Sequence, residues 1–211
     1  MKLLVEYRVR DEVCEWVGSR SLEQAWKECD RADLMLYLLG AMAGTPGWPT
    51  QEQVVLMAAD CAETVQHLAP AGDERPRKLL AAARAWAAGT ATHEEYRADV
   101  AAGVDADSTY IAAGAYAYYA DAAAPAYAAV AAAIDDPRAA AYAARAAAAA
   151  YARAKAGAYK DAYREAAKQK LRELAELIRP RFQPVSEHLR KGDTCPASGE
   201  KRYEQDGCNL L

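Results

Sequence analysis

Three histidines, five cysteines and a set of aspartates are the residues here whose types could carry proton transfer, nucleophilic attack or metal binding. His67 lies near the end of an apolar-striped segment, where a helix C-terminus favours a cation, and His93 directly follows Thr92 at a helix start. His188 stands in a polar stretch near the C-terminus. None has a second ligand four residues away, the spacing that puts two side chains on one helix face for zinc. Each therefore reads as a surface or capping histidine. Cys195, Cys208 and His188 could supply three zinc ligands, but the short Cys-x-x-Cys spacing of a zinc knuckle is missing, and thiols in an exposed tail fit better. The glycines from Gly40 to Gly47 lack the Gly-Lys-Ser or Gly-Lys-Thr ending of a phosphate loop and follow a helix, not a strand. No metal, no cofactor and no catalytic apparatus are expected.

Charge is distributed more tellingly. Between Arg97 and Arg138 there is no Lys or Arg, while Asp99, Asp105, Asp107, Asp121, Asp135 and Asp136 are all acidic. From Arg138 to Lys191 thirteen basic residues face only Asp161, Glu165, Glu173, Glu176 and Glu187. At about 100° per residue, Arg138, Tyr142, Arg145, Arg153, Lys160 and Tyr163 fall on one side of the final helix if it is continuous. Such a face could grip carboxylates, phosphates or stacked bases, or be a solvated face answering the acidic stretch of the same molecule. The aspartates have two readings as well. Asp107, Asp135 and Asp136 stand near helix starts, where caps need them, yet together they would offer a negative surface to a cationic partner such as a nuclease groove. Tyr110, Tyr116, Tyr118, Tyr119 and Tyr127 serve equally as core fillers or as interface anchors.

The elements that must position these residues are helices. About a quarter of the 211 residues are alanine and there is one Phe, so helix propensity is high and bulky core formers are scarce. We expect an all-α, compact array of about seven or eight helices. Alternation of Leu3, Val5, Tyr7 and Val9 suggests one short N-terminal strand. Ser21 with Gln24 predicts a capped helix running to about Leu39, carrying Trp26, Cys29 and Leu36 at helical spacing. Thr50 with Gln53 opens a second, striped by Val54, Met57, Cys61, Val65 and Leu68. Pro76 suits the first turn of a third, Gly89 ends it, and Thr92 with Glu95 begins a fourth. Pro125 and Asp135-Asp136-Pro137 divide the alanine-rich stretch, and Gly157 could break the last helix before Pro180. One domain over residues 1–181 and a polar tail over 182–211 follow.

A net charge of −4 makes a general polyanion binder a poor description. The odd cysteine count, with Cys14, Cys29 and Cys61 among apolar neighbours, fits a reduced interior. No signal-like or membrane-spanning run is found, since the longest alanine tract is flanked by Arg145 and Arg153. A cytoplasmic protein with no membrane partner is expected.

The block Trp26-x-x-Cys29-Asp30-Arg31-Ala32-Asp33-Leu34-Met35-Leu36, followed after a Gly-rich loop by Met57-Ala58-Ala59-Asp60-Cys61-Ala62, resembles the opening of a bacterial immunity protein family of polymorphic toxin loci. Arg75 to Lys78, Ala85-Trp86 and Gly89 to Glu95 are similar to its third and fourth helices, and the resemblance covers roughly residues 20–180. It implies a helical inhibitor that neutralises a toxin or nuclease by stoichiometric binding, with Trp26, Cys29, Arg31 and Asp33 as the family signature. In that signature Arg31 and Asp33 are read as an interface pair or a buried pair. The contact candidates are Asp105, Asp107, Asp121, Asp135, Asp136, Tyr116 and Tyr119, then Arg138, Tyr142, Arg145 and Arg153. The same equipment would serve a phage-encoded inhibitor of a host defence nuclease. A helical nucleic-acid-binding module using the last helix is the third reading, and the oligomeric state stays open.

Overall fold

A computed structural model of the chain describes residues 11–69, 72–96, 98, 130, 132–156 and 160–184. The architecture is all-α. Among the described residues the α-helices run as α1 (Asp11–Val17), α2 (Leu22–Glu28), α3 (Ala32–Met42), α4 (Gln51–Glu63), α5 (Arg75–Ala87), α6 (Ala140–Ala156) and α7 (Lys160–Ile178), with 3-10 turns at Gln66–Leu68, Pro137–Ala139 and Arg179–Arg181. The segment expected as a strand, residues 3–9, lies outside the described residues. None of the helices among the described residues is long and apolar enough to cross a membrane.

Side-chain caps set several of the helical starts. The Thr50 hydroxyl accepts from the Gln53 N–H while the Gln53 side chain accepts from the Thr50 N–H, so two orphan donors at the head of α4 are satisfied reciprocally. Thr92 and Glu95 make the same exchange at the short helical segment 93–96. Ser21 caps α2 through the Gln24 N–H, but the Gln24 side chain turns to Glu28, so this box is only half closed. Pro76 sits in the first turn of α5, and Gly89 follows its end at φ 69°. Asp136 accepts from the Arg138 N–H and starts the turn that leads into α6.

One expectation changes. The helix read from Ser21 to Leu39 is two helices, because Cys29 is extended (φ −68°, ψ 126°) and α3 begins afresh at Ala32. After Pro137 the broken alternative holds, with α6 ending at Ala156 and α7 starting at Lys160. α6 and α7 fold back on each other as a hairpin, in which Lys155 bonds Gln169 and the Lys170 ammonium lies over the Tyr151 ring. One continuous face from Arg138 to Tyr163 therefore does not exist.

α3 and α6 form the centre. Ten of the eleven α3 residues are buried, including Met35, Leu36, Leu38, Leu39 and Met42, as expected for a helix apolar all round. α6 faces it with eight buried alanines and also packs on α4 and α7. Small side chains on α6 let three helices approach its backbone, and α3 supplies the bulk that fills the space between. Phe182, placed by sequence in a polar tail, packs edge-on to Trp26 (5.8 Å) and stacks on Trp48 (5.3 Å), and Pro184 is buried beyond it. The packed body thus extends past residue 181.

The closest approach is at Gly40. A Cβ there would fall on the carbonyl of Pro137 and 2.7 Å from the Arg138 nitrogen, so the turn that starts α6 rests directly on the α3 backbone. Neither atom belongs to a side chain that can swing away. Gly40→Ala is expected to destabilise the protein by about 2 kcal/mol through overpacking, despite the gain of about 1 kcal/mol in helix propensity. Urea denaturation reads the sum, and a midpoint that stays or rises would contradict the contact.

Candidate functional site

Polar chemistry is densest where α2 turns into α3. The Cys29 Sγ lies 3.4 Å from the Arg31 nitrogen and accepts its N–H, while the Arg179 guanidinium donates to the Cys29 carbonyl at 2.6 Å. Arg172, from α7, reaches Asp30 at 3.5 Å, while Arg179 belongs to the 3-10 turn that follows α7. This short corner is thus fixed from outside by α7 and the turn after it, and Trp26 anchors it against Phe182.

Asp33, in the first turn of α3, is 1% exposed. Arg31 grips it with a two-point fork, Nε to Oδ1 and Nη2 to Oδ2, both 2.8 Å. Arg145 Nε on α6 donates to Oδ2 at 2.7 Å, across 112 residues of sequence. On its outer side, Arg145 Nη2 meets Glu12 of α1 at 3.1 Å. Burial is the largest single influence on the Asp33 carboxyl and would raise its pKa, but the hydrogen bonds and charges of the two arginines outweigh it and hold the group below the usual carboxylate range. Arg31 is correspondingly held charged. The pair expected from sequence at Arg31 and Asp33 is a buried one, with Arg145 as a third member.

A second ionic cluster joins α4, α5 and the chain after α7. Arg84 reaches Asp60 at 3.0 Å and Glu63 at 2.7 Å, and Arg181 reaches Asp60 at 2.6 Å. Asp60, Glu63, Thr64, Leu177 and Arg181 line an open groove of about 280 Å³ beside it. Neither this cluster nor Arg179, Phe182 and Glu12 was singled out from sequence. Phe182 did carry a signal, being the only Phe in a chain short of bulky residues.

The remaining predicted contacts lie at the surface or outside the described residues. Asp105, Asp107, Asp121, Tyr116 and Tyr119 are outside them. Asp135 pairs with His93 Nε2 at 3.2 Å, both exposed, and the imidazole sits edge-on to Trp86. Asp136 and Arg138 bond each other at 2.9 Å, which lowers the Asp136 carboxyl. Tyr142, Arg145 and Arg153 do share one side of α6, with Tyr142 49% exposed. Lys160 and Tyr163 belong to α7 and do not continue it.

What the ionisable groups can do follows from the direction of their shifts. Glu28, Glu63, Asp73, Glu95 and Asp136 are all lowered, by Gln24, Arg84, Arg75, the Thr92 N–H and Arg138 respectively as the leading causes. Burial pushes the Cys29 thiol up to about 11 and the Cys61 thiol up to about 12, and raises the Tyr96 hydroxyl. Each is moved away from neutrality, so every one of these groups stays in its resting charge state near pH 7. Cys29 and Cys61 are free thiols, and among the described residues no three His, Cys, Asp or Glu side chains assemble as a metal-ligand group. His67 is exposed in the middle of the Gln66–Leu68 3-10 turn, and His188, Cys195 and Cys208 lie outside the described residues.

No family model matches the chain, and neither a curated protein nor a solved structure matches it.

A depressed carboxyl stabilises the fold fully above its ordinary pKa of about 3.9 and loses that contribution as pH falls through the folded value. Asp33→Asn is therefore expected to cost about 3 kcal/mol at pH 7, the low end for breaking a buried pair because both arginines keep some solvent contact. The deficit should shrink at pH 3. Denaturant titrations of both proteins at the two pH values give the answer, and a deficit that is the same at each would contradict the assignment.

Proposed function

We propose that the chain is a non-catalytic inhibitor that neutralises a toxin or a defence nuclease by one-to-one protein binding inside the cell. The observation that carries the reading is the packing of α6, whose alanines are buried while Tyr142 and Arg153 stand at its outer surface. The directions of the resolved shifts agree with it, since Asp33, Glu63, Asp73, Asp136, Cys29 and Cys61 all move away from neutrality. A stoichiometric inhibitor needs a stiff mount for charged and aromatic side chains, and that is what the α3–α6 core provides for the surface of α6. The resemblance at Trp26, Cys29, Arg31 and Asp33 to an immunity protein family points the same way.

The proposed contacts are the aspartates 105, 107, 121, 135 and 136 with Tyr116 and Tyr119, and Tyr142 and Arg153 on the outer side of α6. Nucleic-acid binding by the last helix loses support, since the hairpin separates Lys160 and Tyr163 from Arg138, Tyr142, Arg145 and Arg153. A basic stripe that tracks a phosphate backbone needs that continuity.

The test begins with affinity capture from the native host and ends with a titration of the captured protein's activity against the purified chain. Inhibition complete at one equivalent is expected, with no chemical change in either protein. A substrate consumed in many-fold excess over the chain would overturn the reading.

A further inference from the structure

Asp33, Arg31, Arg145 and Glu12 form a two-level arrangement whose levels differ in permanence. The inner carboxylate is 1% exposed and takes three hydrogen bonds from two helices. Both arginines remain partly open to solvent, with side chains 41% and 36% exposed. A guanidinium carries five N–H donors in a rigid fork. Arg31 spends two on Asp33, and Arg145 spends one on Asp33 and one on Glu12. Among the described residues the Nη1 donors of both meet no acceptor.

Glu12 is a different kind of partner. Its side chain is 57% exposed, it touches Arg145 at one point only, and it comes from the two-turn helix α1. An exposed ion pair of this sort favours its closed form by less than about a factor of five. Removing Glu12 would leave two guanidiniums, each already aimed by the buried carboxylate, with a net charge of +1 over the remaining three groups.

The geometry points to a carboxylate-docking site at Arg31 and Arg145, whose Arg145 arm is held in the free protein by Glu12 and which in a complex takes an acidic side chain of a protein partner. Asp33 is its positioning residue, because it fixes both forks without facing the ligand. The inference rests on the proposed function only for the source of the carboxylate. It also gives Arg145 two roles, an inner tie to α3 and an outer donor.

The experiment uses the full chain and two probes, glutarate and inorganic phosphate, followed through the arginine Nε–Hε resonances at low ionic strength. In Glu12→Gln, glutarate should shift the Arg31 and Arg145 signals saturably and bind roughly two- to five-fold more tightly than to the wild type, which must first release Glu12. Adding Arg31→Gln to that variant should weaken binding about tenfold. Equal affinities with and without Glu12, an absence of saturation in Glu12→Gln, or saturation by phosphate but not by glutarate would each overturn the proposal. No partner protein enters this titration, so failure of one-to-one neutralisation leaves its outcome untouched.

Discussion

A carboxylate enclosed by protein is costly unless hydrogen bonds and opposite charge replace the water it has lost, and for Asp33 the two arginines supply both. The effective penalty of such an ion is several kcal/mol, a large part of the total stability of a domain this size. Once Asp33 is inside, Arg145 must stand beside it, which fixes the position of α6 against the head of α3. Arg31 must double back onto its own helix start, which fixes the corner after Cys29. Arg172 of α7 and Arg179 of the turn after it then secure that corner, Arg179 on the Cys29 carbonyl and Arg172 on Asp30. Much of the polar organisation of the molecule follows from one buried oxygen pair.

The apolar organisation has a comparable logic. Alanine contributes little area per residue, so an alanine helix gains by letting its neighbours come close. α6 does this on its sides facing α3, α4 and α7, while α3 brings Leu, Met and Tyr to every side. Gly40 carries the same device to its limit, admitting the backbone of Pro137 where no side chain would fit. Glycine in a helix interior ordinarily costs about 1 kcal/mol, and here the contact offsets it.

Local signals were legible and long-range ones were not. The boxes at Thr50–Gln53 and Thr92–Glu95, the first-turn Pro76 and the start at Pro137 depend on residues a few positions apart, and each stands where the sequence puts it. The break after Glu28 contains neither glycine nor proline, and its causes sit at residues 145, 172 and 179. No window of sequence holds them together. For the same reason Tyr142, Arg145 and Arg153 share one side of α6 while Lys160 and Tyr163 belong to α7, since helical spacing alone cannot say whether a helix continues past Gly157. Of the candidate site, Arg31 and Asp33 could be paired on paper because they are two residues apart. Arg145 read as a surface cation, and its inward bond is a fact of tertiary structure.

The central claim is that the Asp33–Arg145 tie organises the fold and the surface built on it, and a double-mutant cycle measures that tie directly. Unfolding free energies of the wild type, Asp33→Asn, Arg145→Gln and the double variant give the coupling between the two side chains. The account predicts a coupling of about 2 kcal/mol, since each single change strands the other partner. Single effects that simply add, within about 0.5 kcal/mol, would contradict it.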